Sequence, residues 1–172
     1  MKKLFAATIA VLLLVIVGCG SQGKLTRDDL CIQRVEDKAK ICYGMERAEV
    51  EKVAGKGEVD SKSKNRFLYE NELEVIYRDN RAVLITTRSE HYEHISTTGV
   101  GKLPDELEKK YGPSVGGGYY YDVENKKMLT VDELKKISDL PETIIVLSTY
   151  IDENGYIFSI SVGDLKSFNT AS

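Results

Sequence analysis

Two stretches of this chain repeat each other without a gap at an offset of 57 residues, from Gly44 to Gly55 and from Gly101 to Gly112. Both pairs of end glycines match, as do Glu49 and Glu106, Glu51 and Glu108, and Lys52 and Lys109. Each copy reads as a two-turn helix closed by glycine, the residue that most easily takes the left-handed conformation at a helix C-terminus. In the second copy Pro104 suits the first helical position, and Asp105 and Glu106 suit the positive end of the helix dipole. Leu103, Leu107 and Tyr111 fall four apart on one face, with Val50 and Ala54 at matching places in the first copy. Self-similarity of this kind decides architecture, and here it predicts two small units sharing one core.

Similar strands follow each helix. After a loose polar stretch from Lys56 to Asn65, alternation predicts strands near Phe67–Tyr69, Leu73–Arg78 and Ala82–Arg88, with Asp79-Asn80 as a turn. After Gly112 come a glycine-rich connection at Gly116–Gly118, a strand at Tyr119–Val123, and strands at Thr143–Ile151 and Tyr156–Val162 joined by Glu153-Asn154-Gly155. The second unit carries an insertion from Glu124 to Pro141, in which Thr130 and Glu133 have the spacing of a capping box for another short helix. The predicted fold class is α+β, with two tandem repeats of short helices packed on an antiparallel sheet. The expected organisation is a leader at 1–18, a tether at 19–30, repeat 1 at 31–95, repeat 2 at 96–165 and a tail at 166–172.

The leader has Lys2 and Lys3 followed by an uncharged, apolar run from Leu4 to Val17. At 14 residues the run is shorter than the ~20 needed to span a hydrocarbon core, so it reads as the h-region of a secretory signal rather than a membrane span. Its end, Ile16-Val17-Gly18-Cys19, resembles a bacterial lipobox. That resemblance implies cleavage before Cys19, a diacylglyceryl thioether on its sulfur and a further acyl chain on the new amino group. Two or more chains anchor firmly where one does not. The expected location is extracytoplasmic, held at a membrane by lipid on Cys19.

Without the two lysines of the leader, 22 Lys and Arg stand against 27 Asp and Glu, a net charge of −5. An acidic ectodomain is repelled by phosphate backbones and anionic headgroups, which excludes nucleic acid as a partner and leaves membrane attachment to the anchor. Beyond Cys19 the only cysteines are Cys31 and Cys42, in a compartment where disulfides persist. A continuous helix would set them about 16 Å apart, out of bonding reach. A bridge therefore needs a chain reversal, which Glu36-Asp37-Lys38 would allow; such a loop is worth on the order of 3 kcal/mol in the chain-entropy picture. Two separate thiols are the alternative.

The stretch from Gly44 to Gly55, GMERAEVEKVAG, resembles the GM-S/T-x-x-E-V-x-x-x-x-G start of small lipoprotein A (BamE-like) domains. Its duplication is similar to the beta-lactamase inhibitory protein fold. The resemblance implies short helices packed on an antiparallel sheet whose other side is a broad concave protein-binding surface. Glu46 and Leu103 depart from it, standing where Ser or Thr caps the helix.

No signature of catalysis appears. Glu90-His91-Tyr92-Glu93-His94 holds both histidines, but HxxH lacks the HExxH geometry and a third strong ligand, and it falls in the expected linker between repeats, so no metal is assigned. Gly112–Gly118 precedes a strand rather than opening a helix with Lys and Ser/Thr, so it is no phosphate cradle. No cofactor is expected.

Tyr119-Tyr120-Tyr121 must send at least one ring to each side of a sheet. Along the other strands Val75, Tyr77, Val83, Ile85, Ile145, Leu147, Phe158, Ile160 and Val162 fit the helix-facing core. Glu74, Arg78, Thr86, Arg88, Ser148, Tyr150, Ser159 and Ser161 are left on the opposite face. Tyr and Arg are enriched at interface hot spots, so Tyr120, Tyr150, Arg78 and Arg88 are the candidate protein-binding residues, without catalysis. The expected partner is an envelope assembly factor or a secreted protein. The alternative is a lipoprotein enzyme or small-ligand receptor with a pocket between the repeats and the insertion.

The lipobox yields the first prediction. Replacing Cys19 by Ser should abolish labelling by a fatty-acid analogue and release the protein from membranes in fractionation; a labelled mutant would refute the anchor.

Overall fold

The computed structural model describes residues 23–170. The leader and Cys19 lie outside the described residues. The chain runs through a short 3-10 turn at Arg27–Asp29, then β1 (Cys31–Arg34), β2 (Lys40–Cys42), α1 (Arg47–Ala54), β3 (Glu58–Asp60), β4 (Ser63–Tyr69), β5 (Leu73–Arg78), β6 (Arg81–Thr87) and β7 (Tyr92–His94). The second half holds α2 (Asp105–Tyr111), β8 (Gly118–Asp122), β9 (Lys127–Met128), α3 (Val131–Leu134), β10 (Ile144–Ile151), β11 (Ile157–Asp164) and α4 (Leu165–Thr170). The fold is α+β and its strand pairings are antiparallel.

An eight-stranded sheet has the order β3-β4-β5-β6-β11-β10-β8-β9, and a three-stranded sheet the order β2-β1-β7. One buried cluster joins both halves. It takes Val50 and Ala54 from α1, Leu107 and Tyr111 from α2, and Phe67, Val75, Tyr77, Ile85, Tyr119, Ile145, Leu147, Ile160 and Val162 from one face of the large sheet. Ile32, Ile41 and Tyr92 bring the small sheet into the same cluster. Burying a side chain such as Leu107 completely is worth roughly 1.5–3 kcal/mol, so helices of eight and seven residues persist through this contact rather than through propensity.

Both helices close as their glycines require. Gly55 and Gly112 have φ of 82° and 83°, and their N–H groups donate to the carbonyls of Glu51 and Glu108. The entries match as well. Gly44 N–H donates to Ala82 O and Ala82 N–H to Met45 O, while Gly101 N–H donates to Ile157 O and Ile157 N–H to Lys102 O. Where Ser or Thr is missing at position 46, the Glu49 carboxylate accepts from the Glu46 N–H at 2.9 Å. Thr130 and Glu133 form the expected capping box of α3.

Two bulges correct the face assignment. In the β5–β6 hairpin, Ile76 pairs with Leu84 but Tyr77 with Ala82, which leaves Val83 as the extra residue. In the β10–β11 hairpin, Tyr150 pairs with Ser159 but Ile151 with Ile157, which leaves Phe158 extra. An extra residue breaks the two-residue period. Phe158, expected in the core, is therefore 47% exposed, and Val83 sits beside Ile76 and Arg78 instead of joining the helix-side cluster.

Four boundaries also differ from expectation. The tether assigned to 19–30 is already packed from Gly23, whose N–H donates to Lys110 O, and Leu25 and Leu30 are fully buried. The polar stretch from Lys56 forms β3 and the start of β4. The tail assigned to 166–172 contributes α4, with Ser167 buried and Phe168 packed on a second apolar cluster. The linker expected at Glu90–His94 contains β7, which pairs with β1.

Cys31 and Cys42 face each other across β1 and β2 and are joined by a disulfide, the chain reversing at 35–39.

His94, expected on a solvated linker, is fully buried. Its Nε2 lies 2.6 Å from Asp29 O, so that nitrogen carries the proton, and Nδ1 accepts from Ser96 Oγ at 2.7 Å. Burial, opposed by the bond to Asp29, pushes the imidazole down to about 4 from an ordinary value of 6.5. Above that ordinary value both folded and unfolded chains hold it neutral. Between about 6.5 and 4 the unfolded chain takes up a proton that the folded chain refuses, so stability falls as acid is added. The loss should reach on the order of 3 kcal/mol near pH 4. Glu93 next to it is held down to about 2: burial acts upward, but hydrogen bonds from Lys38, Gln33 and Lys102 outweigh it. Its contribution is lost only as the pH falls below the usual glutamate range, so the two windows separate. Urea unfolding from pH 7 to 4.5 should show this acid slope in the wild type and a shallower one in His94→Gln; equal slopes would refute the assignment.

Candidate functional site: the open face of the large sheet

The face of the large sheet away from α1 and α2 carries a cross-strand row that is polar from β5 to β10 and ends on an exposed leucine at β4. Leu68 on β4 pairs with Glu74 on β5, Glu74 with Thr86 on β6, Thr86 with Ser161 on β11, and Ser161 with Ser148 on β10. Thr86 and Ser161 satisfy each other's hydroxyls at 2.9 Å. An open depression of about 280 Å³ follows this row, lined by Arg66, Glu74, Arg88, Tyr150, Phe158 and Phe168 among others.

Tyr150 is 55% exposed and its ring centroid lies 6.0 Å from that of Phe158, at an interplanar angle of 46°. Phe158 is the functional candidate that sequence reasoning missed; strict alternation sends it inward, and only the bulge turns it out. Arg88 keeps half of its side chain in solvent, with the Glu74 carboxylate 3.8 Å away. The other oxygen of that carboxylate, Glu74 Oε1, accepts from Arg66 Nε at 2.7 Å, while Arg88 lies nearest Oε2. These three candidates, Tyr150, Phe158 and Arg88, come together at one depression.

The other two expected binding residues do different work. Tyr120 is half-buried against an apolar cluster of Leu129, Ile144 and Val146, to which Leu134 and Ile137 from the insertion and Leu165 and Phe168 from α4 also pack. The insertion covers its ring, which is why it does not stand open. Arg78 is engaged on every side. Its Nη2 lies 3.2 Å from Asp164 Oδ1 and donates to Ser167 Oγ at 2.6 Å, and its Nη1 pairs with Glu142 at 2.7 Å. Asp164 is fully buried and also accepts from the Tyr43 hydroxyl at 2.9 Å and the Ser167 N–H at 2.8 Å. Arg78 is thus the cation paired with a buried carboxyl group at the foot of α4.

Comparison with family models, curated proteins and solved structures returns no match. The site is therefore read from its own geometry. Among the described residues no group of three or more His, Cys, Asp or Glu side chains could hold a metal, and no helix is long and apolar enough to cross a membrane. Glu90 borders a depression of about 220 Å³ with Glu93 and Lys102, but His91 is exposed elsewhere and His94 is buried under Asp29. A cleft of about 370 Å³ beside the insertion is lined by Tyr111, Pro113, Tyr119, Tyr120 and Leu129.

The role of Arg78 is testable against the binding role the sequence suggested. Arg78→Ala should cost stability of about 3–5 kcal/mol, because it leaves Asp164 buried without its cation. Thermal melting should show the loss; a variant that melts like the wild type would refute it.

Proposed function

We propose that this chain is a lipid-anchored extracytoplasmic module of two tandem repeats, which binds another protein through the open sheet face and performs no chemistry. The observation that carries this reading is the exposed Tyr150–Phe158 pair beside Arg88 in a depression also lined by the hydroxyl residues Thr86, Ser159 and Ser161. Aromatic rings offer large contact area at low entropic cost, and a rigid sheet holds them in place before the partner arrives. The depression is open, as a protein surface requires, whereas a small-molecule site is a concavity that encloses most of its ligand.

The two-repeat organisation, in the manner of BamE-like and beta-lactamase inhibitory protein-like folds, is supported by several correspondences. Glycines close both helices, the same pair of backbone bonds ties each helix entry to a strand, and a bulge follows at the matching place, Val83 in one hairpin and Phe158 in the other. Inside the edge strands the order also runs β4-β5-β6 from one side and β8-β10-β11 from the other to meet at the β6–β11 junction. The anchor is supported by the lipobox-like end of the leader. An envelope assembly factor or a secreted enzyme is the class of partner such a surface serves.

The test is affinity capture with the full chain in detergent, followed by Tyr150→Ala and Phe158→Ala. Both side chains are about half exposed, so the variants should melt normally while affinity for the captured partner drops by about 2 kcal/mol or more. Wild-type affinity in both variants would refute the reading.

A further inference from the structure

Arg88 is the less compensated of the two cations that line the depression. Among the described residues its guanidinium makes no hydrogen bond, and its ion-pair contact is Glu74 at 3.8 Å. That carboxylate is already held by Arg66 at 2.7 Å, and Arg66 has a second anion in Asp60 at 3.5 Å. Both anions thus lie closer to Arg66, and among the described residues none of the five guanidinium N–H groups of Arg88 is hydrogen-bonded. Tyr150 and Phe158 share the depression with it.

We propose that the depression takes a loop of the partner protein that presents an Asp or Glu carboxylate to Arg88, with a large apolar side chain next to it lying on Tyr150 and Phe158. This rests on the protein-binding reading above and specifies its chemistry. A planar guanidinium with free parallel N–H groups matches a carboxylate in bidentate fashion, and the bond strengthens as the loop excludes water. A phosphorylated loop fits less well, since a phosphate carries close to two negative charges and Arg66, the other cation of the depression, is already neutralised. The apolar neighbour is required because a lone exposed ion pair is worth little; desolvation by the aromatic pair gives the charge contact its strength.

The experiment pans a phage-displayed library of disulfide-closed random loops on the full chain in detergent, then measures affinities of the selected loops for wild type and variants. The expected result is enrichment of loops with Asp or Glu beside Phe, Leu, Ile or Met. Their affinity should fall about tenfold or more with Arg88→Gln, and similarly when the loop acid is changed to its amide. Among the described residues the Arg88 guanidinium makes no hydrogen bond, so the variant should keep its melting temperature, and Arg88→Glu should redirect selection to loops bearing Lys or Arg. Loops that lose affinity with Tyr150→Ala but ignore Arg88→Gln would overturn the carboxylate inference and leave the binding face standing. A selection without any loop sensitive to Tyr150→Ala or Phe158→Ala would overturn both.

Discussion

Ile85 and Val162 lie opposite each other where β6 meets β11, the seam at which the strands following α1 join the strands following α2. Only four residue pairs, from Thr87 with Ile160 to Leu84 with Gly163, define that seam. Their register is set by burial, because a slip of one residue would turn Ile85 and Val162 out and bring Thr86 and Ser161 beneath the helices. Gly163 adds a steric condition: a Cβ there would come within 2.5 Å of Val83 O. The continuous core and the hydroxyl row on the other face both follow from this one pairing.

Helices α1 to α3, the two hairpin turns and the alternation of β5 and β10 were legible in the sequence because each depends on residues close in the chain. Glycine marks a helix end through its own backbone freedom, and Asp79-Asn80 turns a hairpin locally, both residues taking positive φ. The pairing of β1 with β7 escaped notice because its partners are about 60 residues apart and each strand is short. Periodicity contains nothing that says which distant strand will accept an edge.

The candidate site was legible in half. Alternation placed Tyr150 and Arg88 on the open face, since no bulge interrupts the two-residue period from Ile145 to Tyr150 or from Ile85 to Arg88. It missed Phe158, because one extra residue in β11 reverses its side while leaving its neighbours' composition unchanged. It misjudged Arg78, because the buried anion that claims it lies 86 residues onward, at the junction of β11 and α4. An arginine's availability depends on who holds its donors, and that is a property of tertiary structure.

The outermost strands of the large sheet, β3 and β9, are three and two residues long, and exposed Lys62, Lys64, Lys126 and Lys127 stand beside them. Strands that short offer few unpaired backbone groups, and charge at a sheet margin makes stacking of a second molecule unfavourable. The longest strands, β10 and β11 at eight residues, are kept in the interior with both edges paired. Molecules of this chain crowded together would for that reason resist polymerising through their sheet margins, and the broad face would not be covered by a sheet-edge contact between copies.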